Sequence, residues 1–194
     1  MAMAKRNEFR PDKPRSGFFD KLLLTRLQRR SVLRWGLYAL FLLALSVLQD
    51  VILCRFRIFG GTTELVPCGI FLICITEGLE KGSVFSLIAA CVYLFSGTPA
   101  GNYILVFIPA LAIGVTFFRQ SFLRKGFAAT MLCTAFALLV YELAVFCIGL
   151  FFGQTTPGRI GTHFLTGVLT LVTAPVMYPV INAISTIGGD AWKE

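Results

Sequence analysis

LVPCGIFLICITEGLEKGSVFSLIAACVYLFSGTPAGNYILVFIPALAIG, residues 65–114, decides how this chain folds. It holds three apolar segments joined by two tight polar breaks, Glu77-Gly-Leu-Glu-Lys-Gly82 and Ser96-Gly-Thr-Pro-Ala-Gly-Asn102. Ser83 to Phe95 carries no charge, and neither does Tyr103 to Phe118. A water-soluble helix needs a polar face, and these segments have none. The stretch reads as the packed centre of a polytopic membrane protein.

The whole chain agrees. Hydrophobic residues make up 56% of it and charged residues 14%, and apolar runs recur at the length that crosses a bilayer. About 20 helical residues, at about 1.5 Å each, traverse a hydrocarbon layer of ~30 Å. The expected fold class is all-α, because backbone polar groups in lipid must be satisfied within their own segment. A β-barrel would need short segments alternating polar and apolar, which the chain lacks.

The formal net charge is +8, but ten of the 18 basic residues precede Trp35. Charge so placed marks the cytoplasmic flank of a first span, not a nucleic-acid surface. Six cysteines (Cys54, Cys68, Cys74, Cys91, Cys133, Cys147) form no C-x-x-C pair, and His163 is the single histidine. That set is poor material for a metal site, and no metal or other cofactor is expected. The cysteines read as small apolar fillers. Cys54 and Cys68 flank one outer segment, close enough for a disulfide that nothing in the sequence calls for.

Residues 1–31 form a basic cytoplasmic head, with Met1 to Arg15 expected to be disordered. Phe18, Phe19, Leu22, Leu23 and Leu27 then recur at helical spacing beside Lys21, Arg29 and Arg30. Two readings stand: an interfacial helix whose cations contact anionic lipid, or a solvated flank that fixes topology. Residues 32–187 are one membrane domain with expected spans Val32–Gln49, Leu65–Thr76, Gly82–Phe95, Tyr103–Phe118, Phe127–Phe152 and His163–Ile184. The first has no small-residue cleavage site after it and reads as a signal anchor. Between the first two, Leu53 to Phe59 alternates as an extended segment would, ahead of a Gly60-Gly61 turn. Pro175 and Pro179 are expected to kink the last span. Residues 188–194 return to the cytoplasm.

The second span is short, about 18 Å of helix. If it crosses, Arg119, Arg124 and Lys125 fall on the cytoplasmic side, as the positive-inside rule asks. The expectation is therefore six transmembrane helices with both termini cytoplasmic.

Glu142 is the one ionisable residue deep in a span, so it is a candidate intramembrane polar site. The other reading is a protonated side chain bonded to a neighbour. Its partners within reach are Arg55, Arg57, Arg159 and His163, or a group on another protein. Glu77 and Glu80, beside Lys81, read as a solvated turn. No Ser/His/Asp set, Cys/His set or phosphate loop is present, and the chain reads as a non-enzyme. Small residues let helices approach closely in lipid, which makes Ser86, Ala90, Gly97, Pro99, Gly101, Ala110 and Gly114 the candidate partner interface.

Leu48-Gln49, Gly60-Gly61 followed by Pro67, Gly82 after a charged turn, and Ser96-Gly-Thr-Pro-Ala-Gly101 together resemble the rod shape-determining protein MreD family. About a quarter of the chain matches closely, and the rest matches by topology. Cys68 and Tyr93 stand where the family often has acidic residues, so no role for those carboxylates transfers. The resemblance implies a scaffold of the cell-elongation machinery in the bacterial inner membrane. Its partners would be an MreC-like protein, the peptidoglycan synthase complex of RodA-like and class B penicillin-binding proteins, and, indirectly, cytoplasmic MreB-like filaments. It also implies a fold similar to the substrate-binding subunits of energy-coupling-factor vitamin transporters, and such a subunit is the alternative reading. That alternative expects small residues three apart in the first span, whereas Ala39 and Ala44 are five apart.

Overall fold

The computed structural model describes residues 26–55, 60–96, 101–123 and 126–187. They form six helices and no strand: α1 (Arg26–Val51), α2 (Leu65–Glu77), α3 (Leu79–Phe95), α4 (Ile104–Phe122), α5 (Phe127–Phe151) and α6 (Ile160–Thr186). Four helical stretches are long and apolar enough to cross a membrane: Arg29–Val51, Ile104–Phe122, Phe127–Phe151 and Pro157–Thr186. Their outward faces carry large apolar side chains, among them Leu40, Leu43, Val106, Phe136 and Val172. Such faces are stable against lipid tails and costly against water.

The short helix is the centre. Every residue of α2 except Thr76 is buried, and α2 packs against all five other helices. A helix enclosed on every side needs no polar stripe, which is why Leu65–Ile75 is apolar all round.

Both ends of α2 are pinned, and the pins set its direction. At its start, the Val66 amide donates to the Gln49 side-chain oxygen on α1 (3.1 Å), and the Glu64 amide donates to Thr170 Oγ1 on α6 (3.0 Å). At its end, the Tyr38 hydroxyl of α1 donates to Glu77 (2.7 Å), and Arg34 reaches both Glu77 and the Ser185 carbonyl of α6. Hence α2 runs antiparallel to α1 and parallel to α6, from one polar end of the bundle to the other. Those ends lie roughly 20 Å apart, judged from the helical rise between the pinning residues.

The joint between α2 and α3 is a single residue. Gly78 has φ +91°, a left-handed conformation that glycine adopts without strain. Its amide bonds Cys74 O, and its own carbonyl accepts from Gly82. Gly82 then lies so close to α2 that an added Cβ would sit 2.9 Å from the Cys74 carbonyl oxygen.

Several expectations are corrected. Helix α1 starts upstream of residue 31, so the boundary between head and membrane domain falls inside a helix. The six-residue break at Glu77–Gly82 shrinks to Gly78, because α3 begins at Leu79. Leu53–Arg55 is a tight helical turn and not extended chain, its Arg55 amide bonded to Ile52 O. Cys68 is free and fully buried in α2, in keeping with a sequence that called for no disulfide there.

Candidate functional site

Two polar layers cap the apolar interior, one at each end of α2. The layer at the Glu77 end is held by direct side-chain contacts, with Arg34 Nε left without a hydrogen-bond partner among the described residues. Arg34 Nη2 lies 3.4 Å from Glu77 Oε2, with side-chain exposures of only 4% and 1%. Trp35, Tyr38 and Phe85 stack around the pair with ring centroids 5.4–6.0 Å apart. Arg119 of α4 donates to the Ile75 carbonyl, tying a fourth helix to the same end. A buried ion pair packed among aromatic rings is a structural fastening. Glu77 is thus no member of a solvated turn, whereas Glu80 is exposed.

The layer at the Glu64 end is open. A cavity of about 330 Å³ is lined by residues of the Gly60–Glu64 segment, by Tyr103, by Val145 and Gly149 of α5, and by the Gln154–Thr166 stretch. Its ionisable members are Glu64, Tyr103, Arg159 and His163. Glu142 lies beside it, buried, with Oε2 3.4 Å from His163 Nδ1. The Tyr141 hydroxyl faces the Glu64 carboxylate, and the Glu64 and Glu142 charges are close enough to repel. Thr62 N and Glu64 N are held by the hydroxyls of Thr166 and Thr170, which recur every fourth residue on one face of α6.

This end is not fully satisfied. Among the described residues, Glu64 Oε2, Glu142 Oε1, Tyr103 Oη and Thr155 Oγ1 are out of solvent without a hydrogen-bond partner. Three of these belong to residues lining the cavity. Buried polar atoms left unpaired cost about 1–3 kcal/mol each, so several around one hollow point to an occupant.

The sequence-derived candidates are dispersed. Glu142 is buried, and of its proposed partners among the described residues (Arg55, Arg159 and His163) it contacts His163, while Arg57 lies outside the described residues. Ser86 and Ala90 are fully buried against this chain's own helices, so neither faces a partner. Ala110 and Gly114 are exposed on α4. Gly114 borders an apolar recess of about 420 Å³ between α4 and α5, with Phe118, Leu132 and Phe136. Gly101 is half-buried, packed under its own Tyr103 ring. Arg29 and Arg30 are exposed at the start of α1. Lys21, Gly97 and Pro99 lie outside the described residues.

The sequence reading missed Arg34, Tyr38, Glu64 and Glu77. A signal was there: two glutamates bracket a charge-free run of twelve residues, and an arginine sits inside the first apolar run. Charges so placed need partners within the bundle.

Compared with protein-family models, with curated proteins and with solved structures, the chain matches none.

Proposed function

We propose that this protein is an MreD-like scaffold of the cell-elongation machinery, crossing the bacterial inner membrane six times with both termini in the cytoplasm. The observation that carries the reading is where the MreD-like residues sit. Gln49 caps the start of α2, Pro67 lies in its first turn, and Gly82 seats α3 against it. Three of the residues that carry the resemblance thus lie in or against the central helix.

Six crossings follow if α2 and α3 traverse along with the four long helices. In support, α2 connects the same two polar ends as α1 and α6. It is short because other helices enclose it, so it needs no match to the lipid thickness. The protein has no chemistry of its own in this reading. It recognises partner spans, first an MreC-like protein and, through it, the peptidoglycan synthases and MreB-like filaments. The partner surface moves from Ser86 and Ala90 to the exposed Ala110 and Gly114 face of α4, where small residues let a second helix approach. The vitamin-transporter alternative is weaker, because Ala39 and Ala44 stand about 140° apart around α1.

Co-purification with an MreC-like protein tests the reading. Gly114→Leu, which adds its side chain in open space, is expected to abolish recovery of the partner while the chain still inserts. Unchanged recovery removes that surface, and no recovery with the native chain removes the function.

A further inference from the structure

We infer that the cavity at the Glu64 end of α2 binds a small organic ammonium compound, its cationic head held between Glu64 and Glu142. This goes beyond the scaffold reading and does not rest on it.

The hollow is of ligand size. About 330 Å³ is at the lower end of the range of roughly 300–1,000 Å³ for small-molecule sites, and far larger than a single ion needs. Its wall is polar, formed by threonine hydroxyls, the Gln154 amide, the Tyr103 hydroxyl and charged groups.

The sign of the ligand follows from which atoms lack partners. Glu64 Oε2 and Glu142 Oε1 are acceptors, both out of solvent and both unpaired among the described residues. Glu142 is only 4% exposed, and its hydrogen-bond contact among the described residues, with His163 at 3.4 Å, uses the other oxygen. A carboxylate only accepts, so what is missing is a donor, and an ammonium group brings three. It also brings the positive charge that offsets two neighbouring carboxylates, which neither a neutral molecule nor an anion does. Tyr103 Oη and Thr155 Oγ1, also unpaired, add two further acceptors on the wall.

The rim carries the opposite sign. Arg159 lines the cavity, is exposed, and makes no ion pair among the described residues. A ligand carrying both an ammonium and a carboxylate would span from the glutamates to Arg159, while a simple amine would use the glutamates alone. The two classes share the ammonium and differ at Arg159.

Putrescine and L-ornithine separate them, since they differ by one carboxylate. The full chain in detergent or nanodiscs is titrated with each, against sodium chloride and sodium acetate at matched ionic strength. At least one amine is expected to raise the unfolding midpoint saturably by about 3 °C or more. Putrescine alone, or both amines equally, assigns a simple amine. A larger shift with L-ornithine, lost in Arg159→Gln, assigns the zwitterion. Glu142→Gln is expected to remove the shift, and Glu80→Gln, at an exposed site, to keep it. The native chain decides even if Glu142→Gln does not fold. No saturable shift with either amine, as for a merely water-filled vestibule, overturns the inference, and so does a shift that survives in folded Glu142→Gln. Neither outcome bears on partner co-purification.

Discussion

Arg34 of α1 and Glu77, the last residue of α2, lie 3.4 Å apart with both side chains almost wholly shielded from solvent. Glu77 also accepts the Tyr38 hydroxyl at 2.7 Å, and Arg34 reaches the Ser185 carbonyl at 3.5 Å. One pair therefore draws α1, α2 and α6 together. Taking two charges out of water costs several kcal/mol each, and that cost is offset only while both partners are present.

Removing one partner should therefore do more harm than removing both. Arg34→Met or Glu77→Met alone is expected to lower stability by about 3–5 kcal/mol, and the double substitution by less than either alone. Tyr38→Phe, which loses one hydrogen bond to a charged group, should cost about 1.5–3 kcal/mol. Unfolding of the four variants in detergent, analysed as a double-mutant cycle, checks this. Additive losses would mean that the pair does not act as a unit.

Topology is testable at the α4–α5 connection. Arg119 donates to the Ile75 carbonyl, so this end of α4 lies beside Arg34 and Glu77. A reporter inserted after Arg119 is expected to be active only in the cytoplasm, and one inserted at Gln154, beside the Glu64-end cavity, only outside. The same compartment for both would overturn the proposed six crossings.

At the other end of α2 the pins are single hydrogen bonds to backbone amides. Gln49→Leu leaves the Val66 amide without its acceptor, and Thr170→Val does the same for the Glu64 amide. Each is expected to cost about 1–3 kcal/mol, the penalty of an unsatisfied buried donor. Hydrogen exchange should rise first at residues 64–68, the opening turn of α2. If protection there is unchanged in both variants, these bonds do not anchor the helix.

How legible this was depends on the range of each interaction. Helix positions were local information. Span starts at Leu65 and Phe127 coincide with helix starts, and the expected end at Phe95 is the end of α3, because runs of apolar residues bounded by glycine and charge record them directly. The burial of Glu77 was not local. Beside Glu80 and Lys81 it looks like part of a solvated turn, and only Arg34, more than forty residues earlier, makes its burial affordable. The same holds for Glu64, whose surroundings come from Tyr141 on α5 and Thr170 on α6. The small residues of α3 were recognised as packing residues, but the sequence could not say whether their neighbour was this chain or another. Ser86 and Ala90 face inward because the one-residue joint at Gly78 folds α3 straight back onto α2.

That joint supplies the sharpest steric test. A methyl group at position 82 would sit 2.9 Å from Cys74 O and 3.0 Å from Cys74 Cα, both backbone atoms of the enclosed helix that have no room to yield. The Cys74 thiol also donates to the Gly82 carbonyl at 3.2 Å, so displacement of α3 breaks that contact as well. Gly82→Ala is expected to cost about 1–3 kcal/mol, the usual range for overpacking, despite the better helix propensity of alanine. At Gly114 the added methyl meets nothing within 4 Å. Gly114→Ala should be neutral or stabilising by up to about 1 kcal/mol. Unfolding midpoints of the two variants, measured side by side, isolate the steric term, because glycine-to-alanine is the same chemical change in each. Equal effects at 82 and 114 would mean that α3 does not pack against α2 at this closeness.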